Sequence, residues 1–291
     1  LYQQQQPDLI HHFNIKPVIY GSLAARRLGV PVVNTVTGLG QGFDKSYRFR
    51  YALITLLYRL ALHYPNSFVT FQNCDDRQLF VDLGLVPLTR TQVVRGSGVD
   101  AARFKPVSEP MQPPIVLFAG RLLHSKGVAD FVEVARRLQD EGLRFVLVGE
   151  PDSDNRDSVS HAQLAAWQEA GLVEYWGYRA NMPDILSQSS LVVLPSHYRE
   201  GIPKILIEAA ACARPIVTYD RPGCREIVAH ETNGLLVPEG DLDQLVDAVR
   251  VLSHDPNLRQ QLGQAGRQCV LDGYTIEAVA AAFTNCYQKM L

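Results

Sequence analysis

The chain has little of what marks several large protein classes. Its 291 residues include five cysteines (Cys74, Cys212, Cys224, Cys269 and Cys286), an odd number with no C-x-x-C pair. That spacing disfavours a disulfide framework, a zinc site or a redox dithiol, and it predicts reduced thiols that mostly fill core. The eight histidines include the neighbours His11 and His12 but no H-x-x-x-H pair on a helix pattern, so no metal site is expected. No G-x-G-x-x-G run follows a strand pattern, which disfavours a nicotinamide dinucleotide. No apolar run reaches the roughly 18 residues needed to cross a bilayer, and the opening residues lack a secretion-signal pattern, so a cytoplasmic protein is expected. Neither sign of charge dominates, with 28 basic and 30 acidic side chains and a net charge of −2. Nucleic acid is therefore not an expected partner.

What the chain does have is alternation. Short apolar runs recur with helical stretches between them almost throughout, the pattern of parallel sheets covered by helices, so the fold class is α/β. In the first part PDLIHHF, VPVVNTV, SFVTF and QVV read as strands, with helices around Tyr20 to Leu28, Tyr47 to His63 and Cys74 to Leu83. In the second part IVLFA, RFVLVG, LVEYWG, LVVLP, PIVTYD and GLLVP recur with helices between them, closing with Leu242 to Leu252. The proline-rich stretch from Phe104 to Pro114 lacks periodicity and reads as a linker between two domains.

The most informative stretch is EGIPKILIEAAACARPIVTYDRPGCREIV, Glu200 to Val228. It follows the buried-strand pattern SSLVVLP, which Pro195, Ser196 and Gly201 break into a loop. Pro203 suits a first helical position, where its missing N–H costs nothing, and Lys204 to Ala213 reads as the helix that follows. The amino end of that helix offers backbone N–H groups and partial positive charge to a diphosphate. Glu200 stands just ahead of it and Glu208 on its second turn. From the two acids alone, a capping Glu200 with a solvated Glu208 is as good an account as a pair of ligands. A second block, IVLFAG followed by RLLHSKGVADFVEVARRL, places Arg121 and Lys126 between a strand end and a helix start, where ligands of open α/β sheets bind. There a guanidinium and an ammonium can neutralise two phosphates.

These two blocks resemble retaining glycosyltransferases of family 4. Glu200 and Glu208 match the family's E-x7-E signature, followed by Pro215, Ile216, Val217, Asp220, Gly223, Glu226, Ile227 and Val228. Gly120, Arg121, Leu122, Lys126 and Gly127 match its G-R-L…K-G pattern, and VVRGSGVDAARFKP matches its G-V-D…R-F segment. The resemblance implies a GT-B architecture of two Rossmann-like doubly wound domains. The first, acceptor-side domain spans residues 1–106, a nucleotide-sugar domain spans 107–274, and a C-terminal helix over 275–291 crosses back to the first. It also implies donor binding by Gly120, Arg121, Lys126, Glu200, Gly201, Ile202, Pro203 and Glu208, with Arg121, Lys126 and Glu200 catalytic. Arg121 and Lys126 would neutralise the departing diphosphate, Glu200 would orient the donor sugar, and Glu208 would accept the ribose hydroxyls. No metal or other cofactor is implied.

The run IHHFNIKPVIYGSLAARRLGVPVVNTVTGLG resembles the acceptor block of bacterial enzymes that extend lipid-linked capsule, O-antigen or glycan precursors. The implied reaction moves a sugar from a nucleoside diphosphate donor, with UDP the expected carrier, onto a glycan or undecaprenyl-diphosphate acceptor with retention at the anomeric carbon. Relative to this family the opening strand, its glycine-rich turn and about one βα unit are absent, so the first domain is expected to be incomplete at its N-terminus. Many relatives carry H-x-H after the first of these strands, whereas this chain has His11, His12 and Phe13. His11 reads as a sugar-hydroxyl ligand or as a tucked-in core histidine, and His12, on the opposite strand face, as structural. Thr37 and Gly38 open a turn where backbone can approach a ligand. Ser46 to Tyr64 combines Arg48, Arg50 and Arg59 with tyrosines and an apolar body, which suits either peripheral contact with the inner face of a membrane or burial against the sheet. Two other classes remain open: a nucleotide-sugar-binding but non-catalytic subunit, and a GT-B epimerase or phosphorylase.

Overall fold

The structure is a computed structural model and describes residues 1–43, 48–110 and 113–291. Contacts divide the chain into two units, one of Leu1–Gly98, Arg199–Pro203 and Ile276–Leu291, the other of Val99–Tyr198 and Lys204–Thr275. Both are parallel α/β sheets with helices between successive strands, the Rossmann-like organisation the alternating pattern predicts.

The first unit opens with the short helix α1 (Tyr2–Gln5) and then β1 (Ile10–Phe13), α2 (Ile15–Leu28), β2 (Val32–Val36), α3 (Arg48–Leu62), β3 (Ser67–Phe71), α4 (Cys74–Asp82) and β4 (Thr91–Val93). Its strands are ordered β1-β2-β3-β4, all parallel. β2 and β3 are buried along their whole length, which is why both read as near-continuous β-branched and aromatic runs. One cluster of the core packs Phe43, Tyr58, Phe71 and Phe80 ring against ring at centroid separations of 4.9 to 5.7 Å. Two polar chains cross this apolar sheet. His12 Nδ1 meets Asn34 Oδ1 at 2.8 Å, Ser22 donates to the same oxygen, and the Asn34 amide donates to Ser67. In the other, His11 lies 2.6 Å from the Thr35 hydroxyl, which lies 2.7 Å from that of Thr70. Each polar group finds a partner, so its burial carries little penalty.

The second unit runs through β5 (Ile115–Ala119), α5 (Val128–Arg137), β6 (Arg144–Val148), α6 (His161–Glu169), β7 (Glu174–Tyr175), α7 (Met182–Gln188), β8 (Leu191–Leu194), α8 (Lys204–Ala211), β9 (Ile216–Tyr219), α9 (Pro222–Arg225), β10 (Gly234–Val237), α10 (Leu242–His254) and α11 (Pro256–Gly273). The strand order is β10-β9-β8-β5-β6-β7. The chain therefore builds outward from β5 on one side, returns, and builds outward from β8 on the other. β5 and β8 lie side by side, with Val116 opposite Leu191, at the point where strand order reverses. Ligands of open α/β sheets collect beyond the carboxyl ends of such a pair.

The expected helix over Leu242 to Leu252 runs two residues longer, and α11 follows it directly, an element the apolar periodicity did not disclose. The signal was local: Asp255 caps α11 by accepting from Leu258 N at 2.9 Å, and Pro256 occupies its first turn. The expected strand LVEYWG shrinks to two residues at the sheet edge, where the Glu174 carboxylate accepts from Arg144 Nε at 2.7 Å and Nη2 at 2.8 Å. The last helix, α12 (Ile276–Gln288), belongs to the first unit, where Cys286 and Tyr287 pack with Val33 and Phe68. Among the described residues no helix is long and apolar enough to cross a membrane.

Candidate functional site

In the second unit the switch point between β5 and β8 is built by two loops that touch. β5 ends at Ala119; Gly120 and Arg121 follow, and then a short turn over His124–Lys126 leads through Gly127 into α5. Gly127 has φ +79°, and a β-carbon there would lie 1.9 Å from the Pro195 carbonyl oxygen, so only glycine lets the two loops approach this closely. Asp157 ties the turn from outside through the Ser125 hydroxyl and the Ser125 N–H, while its carbonyl accepts from His124 N at 2.8 Å. The other loop completes the tie, His197 N donating to Ser125 O at 2.8 Å. The Lys126 ammonium sits 5.6 Å from the Tyr198 ring centroid. Arg121 is more than half exposed and makes a loose 3.9 Å pair with Asp152, a surface contact of little energetic weight. The structure thus brings Gly120, Arg121 and Lys126 together at one strand end, two cations at a place suited to phosphate.

Glu208 lies on α8 and is only 6 % exposed, so it is not a solvated helix residue. Burial pushes its carboxyl above the usual carboxylate range, against the pull of Lys204, 3.4 Å away, and of Arg103. A buried carboxylate whose ion-pair partner is an exposed lysine is poised to take other hydrogen-bond donors, which a pair of sugar hydroxyls would supply.

Glu200, Gly201, Ile202 and Pro203 group by contact with the first unit, whereas the helix they lead into groups with the second. This strip lies on the ends of β2 and β3: Gly201 N donates to Thr37 O at 2.8 Å, Gly40 N to Arg199 O at 2.8 Å, and Ile202 N to the Gln72 side chain at 3.1 Å. A β-carbon on Gly201 would lie 1.9 Å from the Gln72 side-chain oxygen, and one on Gly38 2.4 Å from Gly201 N. Thr37 and Gly38, expected as a turn near an acceptor, are thus packed directly against the glutamate-bearing strip. Arg199 anchors it through the buried Asp76, at 3.2 Å. Gln72, Asp76 and Arg199 were not singled out from the sequence, since no spacing links residues more than 120 positions apart.

His11 is hydrogen-bonded to two side chains in the first unit: Nδ1 lies 2.7 Å from the Tyr287 hydroxyl and Nε2 2.6 Å from the Thr35 hydroxyl. Burial, with the neighbouring His12 adding to it, lowers its pKa to about 4, so the ring is neutral at physiological pH. Its ring centroid lies 4.1 Å from that of Phe13, the two planes tilted by 31°, and Phe13 is half exposed at the strand's carboxyl end. His12 is buried, bonded to Asn34 and to the Tyr2 hydroxyl. Among the described residues no cluster of histidine, cysteine and acidic side chains could hold a metal ion.

α3 carries apolar side chains on both faces. Tyr58, Ala61 and Leu62 are buried, while Phe49, Leu53, Leu56 and Leu60 form an outward row, Phe49 being 83 % exposed. Arg48, Arg50 and Arg59 are exposed on the same helix. Ser46 and Tyr47, which open the segment singled out in the sequence, lie outside the described residues.

Comparison with known proteins fits this geometry. Residues 100–269 match the family described as glycosyl transferases group 1, and residues 1–73 match that described as glycosyl transferase 4-like. The chain is 30 % identical to the N,N'-diacetylbacillosaminyl-diphospho-undecaprenol alpha-1,3-N-acetylgalactosaminyltransferase of Campylobacter jejuni, over 98 % of this chain and 77 % of the relative. It is 26 % identical to the UDP-Gal:alpha-D-GlcNAc-diphosphoundecaprenol alpha-1,3-galactosyltransferase of Escherichia coli, over 100 % of this chain and 78 % of the relative. Among solved structures, HepE of Anabaena in complex with UDP superposes with a TM-score of 0.84 at 19 % identity, over 99 % of this chain and 80 % of that one. Sucrose-phosphate synthase of Thermosynechococcus elongatus superposes at 0.85 with 22 % identity, over 99 % and 75 %. At these identities the structural likeness speaks to the fold, two Rossmann-like units of the GT-B kind.

Proposed function

Because this chain belongs to the glycosyl transferases group 1 family and is thereby a glycosyltransferase, we propose that it moves a sugar from a UDP-sugar to an undecaprenyl-diphosphate-linked glycan, with retention at the anomeric carbon as in family 4. The observation that carries the reading is the turn bearing Arg121 and Lys126 beyond β5, pinned from both sides at the switch point of the second sheet. The departing nucleoside diphosphate gathers negative charge as the glycosidic bond to the donor breaks, and fixed cations at that point stabilise the transition state without reorganising. The roles of the remaining residues follow from the motif: Glu208 accepts the ribose hydroxyls, and Glu200, with the backbone of Gly201, Ile202 and Pro203, orients the donor sugar. The named relatives from Campylobacter jejuni and Escherichia coli act on diphosphoundecaprenol acceptors, which supports an acceptor of that class. The outward row of α3, flanked by arginines, fits the anionic membrane surface in which such an acceptor resides.

A thermal-shift series with UDP, GDP, ADP and a panel of UDP-sugars tests the reading. At a hundred times its dissociation constant a ligand stabilises the native state by about 2.7 kcal/mol. A UDP-selective shift that Glu208→Ala abolishes is expected, and the same shift with every nucleotide, or with none, rejects the UDP donor.

A further inference from the structure

His197 is the hub of a cluster that the transfer motifs do not include. It follows β8 by three residues. Its Nε2 lies 2.9 Å from Asp130 on α5, and its Nδ1 lies 3.2 Å from Glu239, just beyond β10. The Tyr219 hydroxyl, at the end of β9, donates to the same Asp130 oxygen at 2.7 Å. Arg221 joins Glu239 at 2.5 Å and donates to the His197 carbonyl at 2.9 Å. Side chains from α5 and from the segments after β9 and β10 thus gather around one imidazole, which Asp130 and Glu239 bond directly, and the main chain of that residue reaches the other way, its N–H bonding Ser125 O in the turn that carries Lys126. The next residue, Tyr198, lies under the Lys126 ammonium.

We propose that His197 is a positioning residue of the transfer reaction, clamping the loop after β8 to the turn of Lys126 so that the ammonium is held where the donor diphosphate gathers charge. The inference rests on the function proposed above. Fixing a charged group matters because a displacement of about 1 Å can lower a rate by about 100-fold. The clamp is also titratable. The groups gathered at the imidazole are the carboxylates of Asp130 and Glu239, the Tyr219 hydroxyl and the Arg221 guanidinium, while the Lys126 ammonium lies over the ring of the next residue, Tyr198. The Asp130 hydrogen bond raises the His197 pKa against the opposing effect of burial, and Glu239 adds to the rise. Burial raises the Asp130 carboxyl, but its bonds from His197 and Tyr219 outweigh this and leave it below the ordinary range. The imidazolium is therefore the clamped form, and the clamp loosens as pH rises through its titration above 6.5.

The test has two readouts on the full chain. Amide hydrogen exchange over residues 121–127, corrected for intrinsic rate, is compared between the parent and His197→Gln at pH 6.5 and 9. At pH 6.5 the variant should exchange about tenfold faster, and the parent should approach it at pH 9. UDP affinity, measured over the same range, should fall several-fold with rising pH in the parent and stay flat in His197→Gln. Glu239→Gln, at the half-exposed rim of the cluster, should give an intermediate profile and guards against a folding defect in the first variant. Equal protection of the turn in parent and His197→Gln at both pH values overturns the clamp, as does a UDP profile that His197→Gln leaves unchanged. A parent that protects the turn as expected but binds no UDP refutes the proposed donor, and the exchange data then decide the clamp alone.

Discussion

At the scale of single residues, charge and burial oppose one another most directly at Glu208. Burial raises its pKa, so the folded chain binds that proton more tightly than the unfolded one; the contribution is fully present below the unfolded value of 4.5 and is lost as pH rises through the folded value. Glu208→Gln should therefore raise the melting temperature at pH 8 by about 2–4 °C, the change expected for ~1 kcal/mol in a unit of this size, and should lose that advantage at pH 4. The same substitution should weaken UDP binding, a stability–function opposition measurable on one protein. Arg121→Ala and Lys126→Ala should lower kcat by about 100-fold and UDP affinity only several-fold, because their charge is needed most when the diphosphate departs; equal losses in both constants would show that they serve ground-state binding instead. The identity of these residues was legible because each sits in a short motif beside a strand end. Their surroundings were not: nothing in the run EGIPKILIE tells that Glu208 is shielded from solvent while Lys204, one turn earlier, is exposed.

At the scale of elements, periodicity served where an element is buried on one face or throughout. β5 and β8 are buried along their entire length and read as continuous apolar runs. α5 reads as amphipathic and buries Phe131, Val132, Val134 and Ala135. α3 is the instructive exception, since apolar residues surround it and the sequence left membrane contact and burial both open. The structure buries one face and leaves Phe49, Leu53, Leu56 and Leu60 outward. Replacing Phe49 and Leu53 with serine should abolish flotation with anionic liposomes while leaving the melting temperature within about 2 °C, since the replaced groups touch solvent in the folded state. Flotation insensitive to these changes and to loss of Arg48 and Arg50 would remove the membrane reading. The inner face makes the contrasting case: Phe80→Ala, at the centre of four packed rings, should cost about 3–5 kcal/mol in denaturant unfolding.

At the scale of the whole molecule, the chain passes between its two units at residues 98, 198, 203 and 275, so neither unit is a continuous stretch of sequence. The first unit should be the acid-sensitive one. The pKa of His11 is lowered from 6.5 to about 4 in the folded state, so its stabilising contribution is present above pH 6.5 and is lost as pH falls from there towards 4. Residue-resolved hydrogen exchange across that window should show β1 and α12 losing protection in the parent but less so in His11→Gln; a parent insensitive to pH over this range would contradict the assignment. By itself the sequence determined the α/β class, the parallel strands, the helix that follows Pro203 and the two cations after β5, because each depends on apolar spacing or on a few neighbouring residues. Only the tertiary structure decided that Arg199–Pro203 lies on the ends of β2 and β3, that α12 docks through Cys286 and Tyr287 on Val33 and Phe68, and that His197 gathers Asp130, Tyr219, Arg221 and Glu239. Those contacts join residues tens to hundreds of positions apart, and hydrogen bonds of that kind follow from which strand ends the topology sets side by side, information that no local pattern of residues contains.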